Sequence, residues 1–320
     1  MSGLIDQSTG VSVVIPTYNR AERVLEAIES ALNQDWEPLE IVVVDDASTD
    51  DTVTRLGRLA EREPRVRVIV RSANGGAAAA RNEGVTAARQ PYVAFLDSDC
   101  LFTPGKLAAQ MPGLLAAPES AVSFSGYVLC ENALQSSVLL DGWSPDPGAV
   151  IAELLEQCCV NTSTFIARRD SLMKAGLFRP EMEVCEDHDL WLRLAMLGHE
   201  FLYEDAPLTV YRFNETSISS DPALVARYST RMIKSFLERP DLPLEIRSKR
   251  SFYRSRWALS STGRFLEAQD GRSAMISLGR AVLTRPQSLR PGWLILAGRA
   301  VLTEIRSAAR RAARAGRSLR

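Results

Sequence analysis

Histidine is nearly absent from this chain: His188 and His199 are the only two in 320 residues, too few for a histidine-built metal centre. The five cysteines include no CxxC pair, and adjacent Cys158 and Cys159 make a poor disulfide framework, so a reducing compartment is expected. No overall excess of charge exists, with 38 Lys and Arg against 39 Asp and Glu. Such a chain has no global field to draw in nucleic acid, and no nucleic-acid partner is expected. Met1 to Gly10 has no basic flank followed by an apolar core; no secretory leader is expected there, and the protein is read as cytoplasmic. Where glycines cluster, at Asn74-Gly75-Gly76, the Gly-x-Gly-x-x-Gly spacing is missing, which disfavours a dinucleotide-dependent oxidoreductase.

What is present is an α/β pattern. Val11 to Ile15 is a β-branched run stopped by Pro16, and Val24, Leu25, Ile28, Ala31 and Leu32 then recur with helical period. Leu39 to Val44 predicts a second strand that runs into Asp45-Asp46, after which Ser48 is placed to cap a helix and Asp51 to sit near its positive end. Val66 to Val70 predicts a third strand, and an alanine-rich helix carrying Arg81 follows Asn74-Gly75-Gly76. Tyr92 to Leu96 is a fourth apolar strand that ends in Asp97-Ser98-Asp99-Cys100. Near-continuous apolar strands alternating with helices imply a Rossmann-like, mainly parallel sheet flanked by helices. Ligands of such sheets bind beyond the carboxyl ends of the strands, where Pro16-Thr17-Tyr18-Asn19, Asp45-Asp46, Asn74-Gly75-Gly76 and Asp97-Ser98-Asp99 all fall. Read alone, Asp97-Ser98-Asp99 is either a polar turn or a hard-oxygen grip on a divalent cation and, through it, a diphosphate.

Ser12 to Arg20, Val43 to Thr52, Asn74 through Gly84, and Phe95 to Asp99 stand in the order and spacing that resembles family 2 glycosyltransferases of the GT-A fold. The resemblance runs from about Val11 to Ser219. It implies transfer of a sugar from a nucleotide-diphosphate donor, expected to be a UDP-sugar, with inversion at the anomeric carbon. It also implies site residues: Pro16 and Tyr18 lining the base and ribose pocket, Asp46 accepting from the base imide, Arg81 facing the nucleotide, and Asp97 and Asp99 serving the ribose and a Mg²⁺ or Mn²⁺ ion. On the residues alone, Tyr18 is equally a rim residue, Asp46 a helix-flanking acid and Arg81 a solvated helix arginine. A neutral thiol at Cys100 and an amide at Asn214 stand where many relatives have stronger ligands, so weaker or more exchangeable metal binding is expected.

Beyond Leu101 the expectations pass to the acceptor side. Thr103-Pro104 predicts a helix start, Val122 to Leu129 a strand, Glu131 to Pro147 a loop with Gly142-Trp143-Ser144-Pro145-Asp146-Pro147 at its end, and Asn161 to Ile166 another strand. Trp143 either stacks on a sugar or covers an apolar patch. In Cys185-Glu186-Asp187-His188-Asp189-Leu190-Trp191-Leu192-Arg193, Asp187 shares one helical face with Leu190, Trp191 and Leu194, so an acid at the helix start is anchored by an apolar stripe. The segment resembles the family's Glu-Asp-x-Asp-Leu-Trp motif, which implies that Asp187 is the general base toward the acceptor, a glycan or lipid-linked hydroxyl. A nucleotidyltransferase is a second reading, disfavoured because no lysine-rich phosphate loop follows the first strand; a non-catalytic sugar-nucleotide-binding scaffold is a third.

The expected division is a glycosyltransferase domain over 1–219, split into 11–100 and 101–219, and a helical extension over 220–320. In the extension Val225, Tyr228, Met232 and Phe236 form one stripe. From Arg299 to Arg320 there are seven arginines and one acid, Glu304. Together with the short apolar stretch before it, this basic tail is read as a peripheral contact with an anionic membrane, as a docking face for a membrane partner, or as a solvated helix packed on the domain.

Overall fold

A computed structural model describes residues 9–117, 120–131, 134–212, 217–285, 295, 298–304 and 306. The chain divides into two compact units, Met1–Asn214 and Glu215–Arg320.

In the first unit, strands β1 (Val11–Thr17) and β2 (Leu39–Asp45) are buried along their whole length. They leave no face for water, as their unbroken apolar sequences require. With β3 (Val66–Val70) and β4 (Tyr92–Phe95) they form a parallel array in the order β3-β2-β1-β4. Helices α1 (Ala21–Leu32), α2 (Thr52–Ala60) and α3 (Gly76–Ala87) make the crossovers. Helix α1 buries Val24, Ala27, Ile28 and Ala31 as one stripe. Helix α3 approaches the sheet closely at Gly84, where a Cβ would lie 2.4 Å from Val14 Cγ1 and 3.3 Å from Val44 Cγ2. Only a residue without a side chain fits that contact.

The expectation of a parallel sheet holds up to β4; beyond it the sheet is mixed. Strand β5 (Cys100–Phe102) follows the Asp97–Asp99 turn, and then come α4 (Lys106–Ala116), β6 (Ala121–Glu131), β7 (Leu134–Val138) and α5 (Pro147–Glu156). Strand β8 (Ile166–Arg168), helices α6 (Arg169–Lys174) and α7 (Glu186–Met196), and strand β9 (Glu200–Arg212) complete the unit. Past β4 the order is β8-β6-β9-β5, with β8 antiparallel to β4 and β6, β9 parallel to β6, and β5 antiparallel to β9.

Four local expectations are corrected. Asn161 to Ile166 is not one strand: Thr162–Thr164 is a 3-10 turn and only Ile166 enters β8. Asn161 Oδ1 accepts from Ser163 N (2.9 Å) and Thr164 Oγ1 donates to Asn161 O (2.7 Å), so the polar side chains take the backbone out of the ladder. The expected loop after Glu131 contains β7, antiparallel to β6; its residues are nearly all exposed, and a strand with no buried face writes no alternating pattern. Helix α4 begins at Lys106 rather than Thr103, after Gly105 in the left-handed region (φ 79°). Helix α2 has Asp51 at its cap, and Ser48 instead accepts from Asn19 N at 2.8 Å.

The second unit is helical, with α8 (Pro222–Leu237), α9 (Leu244–Ser248), α10 (Arg250–Glu267) and α11 (Gly271–Thr284). Met232 and Phe236 of the expected α8 stripe are buried, while Val225 and Tyr228 are half-buried and Ala223, Ala226 and Ile233 are inside instead. Helices α10 and α11 pack as an antiparallel hairpin, Ser277 Oγ donating to Ala258 O (2.9 Å) and Ser255 Oγ to Ala281 O (3.2 Å).

Candidate active site

The ends of β1, β2 and β4 and the start of α7 present the expected residues together. Pro16 is buried in β1 beside Val44, and Tyr18 just beyond is 44% exposed at the rim. Asn19 and Ala47, following β1 and β2, both take positive φ (49° and 64°). Asn19 Oδ1 accepts from Thr49 N at 2.8 Å, so the two strand-end loops are stitched together. Such left-handed non-glycine residues persist only where the surroundings enforce them; a third, Cys185 (φ 64°), stands before α7.

Asp46 is buried, ion-paired with Arg71, and accepts from Gly75 N (3.0 Å) and Gly76 N (2.7 Å). It therefore shapes the Asn74–Gly76 turn, and any contact with a base shares a carboxylate already engaged from the protein side. Beside it, Asp45 Oδ2 and Thr17 Oγ1 are buried without a hydrogen-bond partner among the described residues.

Arg81 on α3 is buried and not solvated. Its Nη2 donates to Asp97 Oδ1 (2.6 Å) and its Nη1 to Glu186 Oε1 (2.7 Å), and the guanidinium lies 5.4 Å from the Phe178 ring centroid. Burial works against its charge, but Asp97 and Glu186 more than offset this and hold it above the ordinary arginine value. Burial also pushes Glu186 up to about 7, against the pull of Arg81 and with the neighbouring Asp187 charge adding to it.

Asp99 is ion-paired with Arg20, and its carbonyl accepts from Arg212 Nε at 2.6 Å. Cys100 is fully buried, with its sulfur 3.8 Å from Asp99 Oδ1. Burial, then the charges of Asp97 and Asp99, push its thiol well above its usual range, so it is not a reactive thiolate. Among the described residues no group of three or more His, Cys, Asp and Glu is placed to hold a metal ion. Two hard carboxylates one residue apart nonetheless fit a Mg²⁺ or Mn²⁺ that takes its remaining ligands from a bound diphosphate, the usual arrangement for Mg²⁺. Asn214 lies outside the described residues.

Asp187, at the start of α7, accepts from Thr162 Oγ1 (2.9 Å) and from His188 N (2.7 Å). Leu190, Trp191 and Leu194 are fully buried below it, and Trp191 stacks on Phe165 with centroids 3.7 Å apart. His188 is buried, shares a hydrogen bond with Leu154 O (2.7 Å), and is held below its ordinary value by burial, partly offset by Asp187. Asp189 pairs with Arg193 and Arg179. Trp143 covers an apolar patch: its ring meets Phe124 edge-on at 4.8 Å and its Nε1 donates to Phe201 O at 2.7 Å.

Sequence reasoning passed over Arg20, Arg71 and Arg212, which add to Arg81 as cations at the site, and Thr162 and Ser163, which bond to Asp187 and Asp97. Their signal was faint, since each is a common residue outside any acidic motif; only the position of Arg20, directly after the Pro16–Asn19 cluster, hinted at a role.

The family model described as Glycosyl transferase family 2 matches residues 12–173. Over 212 residues the chain is 31% identical to TuaG of Bacillus subtilis, named as a teichuronic acid biosynthesis glycosyltransferase, covering 66% of this chain and 82% of that one. It is 29% identical over 211 residues to WfaP of Escherichia coli, a UDP-Glc:alpha-D-GlcNAc-diphosphoundecaprenol beta-1,3-glucosyltransferase, covering 66% of this chain and 80% of that one. A longer uncharacterized glycosyltransferase of Rickettsia felis is matched over 32% of its length. Among solved structures, S. aureus TarS 1–349 in complex with UDP-GlcNAc aligns with a TM-score of 0.68 at 18% identity, over 92% of this chain and 88% of that one. The mannosyltransferase PcManGT of Pyrobaculum calidifontis, in complex with GDP-Man and Mn²⁺, aligns at 0.61 and 18% identity, over 92% and 85%. These likenesses agree on the GT-A fold.

Proposed function

This chain belongs to glycosyl transferase family 2, and from that premise we propose that it moves a sugar from a nucleoside diphosphate, most simply UDP, to an acceptor hydroxyl with inversion. The acceptor is a glycan or lipid-linked glycan of a cell-surface polymer, a reading supported by the teichuronic acid biosynthesis named for TuaG and the GlcNAc-diphosphoundecaprenol named for WfaP. One observation carries the reading: Asp97 at the end of β4 and Asp187 at the start of α7 are bonded to consecutive residues of a single turn, Ser163 and Thr162. A carboxylate suited to a leaving diphosphate and one suited to a proton are thus held at one place.

In this mechanism Pro16 and Tyr18 receive the base and ribose, with Asp46 shaping the adjoining turn. Arg20, Arg81 and Arg212 line the floor around Asp97 and Asp99 and offset negative charge as the diphosphate leaves. Asp99, with Asp97 beside it, would hold a Mg²⁺ or Mn²⁺ ion, which when bound supplies Lewis-acid neutralisation of the leaving group. Asp187 takes the proton of the acceptor hydroxyl as that oxygen bonds to the anomeric carbon and the carbon–diphosphate oxygen bond breaks on the opposite face. Backside attack of this kind inverts the centre.

The second unit serves as a contact with an anionic membrane at the cytosolic face. Its residues, 215–320, are strongly enriched in arginine and lysine over acids, whereas 1–214 are enriched in acids. On α11, Met275, Ile276 and Leu283 are exposed with Arg272 and Arg280 among them, a surface suited to acyl chains and headgroups. Among the described residues no helix is long and apolar enough to cross a membrane.

Hydrolysis and transfer assays with a panel of nucleotide sugars, with and without Mn²⁺, test the activity. Turnover of at least one donor is expected, and none would favour a non-catalytic scaffold. Asp187→Asn is expected to lower turnover by about 10²-fold or more; an active Asp187→Asn enzyme would remove the base assignment. Vesicles rich in anionic lipid should bind the full chain better than a chain ending at Arg290, and equal binding would remove the tail from the membrane contact.

A further inference from the structure

The 3-10 turn Thr162–Thr164 belongs to no motif, yet it touches both halves of the site. We propose that Thr162 is a positioning residue for the transfer step, fixing the Asp187 carboxylate toward the acceptor by a hydrogen bond anchored in a turn that also fixes the donor-side acid. This rests on the reading of Asp187 as the base.

The turn is rigid because its polar groups are engaged. Asn161 Oδ1 accepts from Ser163 N (2.9 Å), and Asn161 O accepts from Thr164 Oγ1 (2.7 Å). Ser163 O accepts from Thr209 Oγ1 (3.1 Å). Thr164 O accepts from Gln110 Nε2 (3.1 Å) and from the buried Lys106 Nζ (3.0 Å). Ser163 Oγ accepts from Asp97 N at 3.0 Å, which ties the end of β4 to the turn. On the other side, Phe165 stacks on Trp191, one helical turn past Asp187, and Trp191 Nε1 donates to Val160 O at 3.3 Å. Helix α7 and the turn therefore keep their spacing by packing on both flanks, and the 2.9 Å contact between Thr162 and Asp187 is set by that frame.

An aspartate has two side-chain torsions, and each oxygen of Asp187 receives one bond. The bond to Oδ1 comes from His188 N within the same helix. The bond to Oδ2 from Thr162 is the one that comes from outside α7 among the described residues, so it alone orients the carboxylate relative to the donor half. Without it the carboxylate turns about its own bond, and a misaligned base slows the chemical step without changing how the donor sits.

The test uses the full chain and hydrolysis of the nucleotide sugar that it turns over, read as released nucleoside diphosphate, with water as acceptor. Thr162→Val keeps shape and removes the hydroxyl. Its kcat is expected to fall about tenfold or more, the scale of one hydrogen bond to a charged group, with KM for the donor within about twofold. Thr162→Ser is expected to restore kcat to within about threefold. Thr164→Val, which loses a bond inside the same turn, reports on turn stability alone and is expected to lower Tm without that selective fall in kcat. An unimpaired Thr162→Val enzyme, a Thr162→Ser enzyme as slow as Thr162→Val, or an equal selective loss in Thr164→Val overturns the proposal. Asp187→Asn separates the two failures: if it stays active, the base assignment falls, whereas an inactive Asp187→Asn beside an unimpaired Thr162→Val removes the positioning role alone.

Discussion

Replacing Arg81 by methionine removes one guanidinium from between two carboxylates. The side chain is buried, 2.6 Å from the half-buried Asp97 and 2.7 Å from the more enclosed Glu186, so Arg81→Met leaves both acids without their cation. Losing one partner of a buried pair costs about 3–5 kcal/mol. Because both pairs share the same guanidinium, the two costs are not summed. The loss depends on pH through Glu186, which burial holds up at about 7 against an ordinary 4.5. A folded-state value raised in this way means that Glu186 contributes stability fully present below its unfolded value and lost as pH rises through about 7. Near pH 5.5 Glu186 carries a proton with or without Arg81, so the share of the loss due to it is relieved; as pH rises past about 7, toward about 8.5, that share grows, because the variant lacks the Arg81 pull that holds Glu186 down. Hydrogen exchange of the α7 amides of Leu190, Trp191 and Leu192, read by mass spectrometry, measures the opening free energy of this region without requiring the two units to unfold together. The expected result is a drop of about 3–5 kcal/mol at the higher pH and about half of that at the lower. Adding Glu186→Gln should flatten the pH dependence. A drop under about 1 kcal/mol, or one identical at both pH values, would refute the reasoning.

Three other outcomes follow from the same geometry. Asp99→Ala is expected to reduce donor turnover at least about tenfold more than Asp97→Ala, and equal tolerance of both in steady-state assays would show that the Asp97–Asp99 pair does not serve the diphosphate. Arg20→Gln frees the Asp99 carboxylate from its ion pair and should tighten Mn²⁺ binding about fivefold in titration calorimetry without donor, since a partly exposed pair is worth about 1 kcal/mol; an unchanged Mn²⁺ affinity would sink that competition. Gly84→Ala forces a methyl to 2.4 Å from Val14 Cγ1 and is expected to cost about 1–3 kcal/mol of stability, which a lower Tm in a thermal melt would reveal and an unaltered Tm would contradict.

The parallel half of the sheet was legible because strands buried on both faces must be apolar throughout, as Val11–Ile15 and Leu39–Val44 are. The acids at the ends of those strands were legible for the complementary reason, that a carboxylate ending an apolar run has to face a crevice. What escaped were partners rather than acids. Arg81 reads as a surface arginine because its two counter-charges lie 16 and 105 residues away in the chain, a separation to which periodicity is blind. Thr162 and Ser163 read as strand because β-branched and small polar residues suit strands as well as turns, and the decision lay with Asn161 capping the backbone. Strand β7 was missed because Leu134–Val138 buries almost nothing.

The change of direction at β4 also bears on how the chain reaches its native state. Strands β1 to β4 and their helices are contiguous, so the parallel array can assemble as soon as Phe95 is made, but one side of β4 then stays open. Its partner, Ile166–Arg168, pairs over three residues only and arrives some seventy residues later, after β5, β6 and β7 have been threaded through. During synthesis a wholly buried, uncharged strand, Tyr92–Phe95, therefore presents bare N–H and C=O groups, the kind of edge that recruits strands from other chains. The segment that carries the turn beneath Asp187 is the one that closes this edge, so the support for that carboxylate and the end of the exposure to aggregation arrive together, before α7 itself is made.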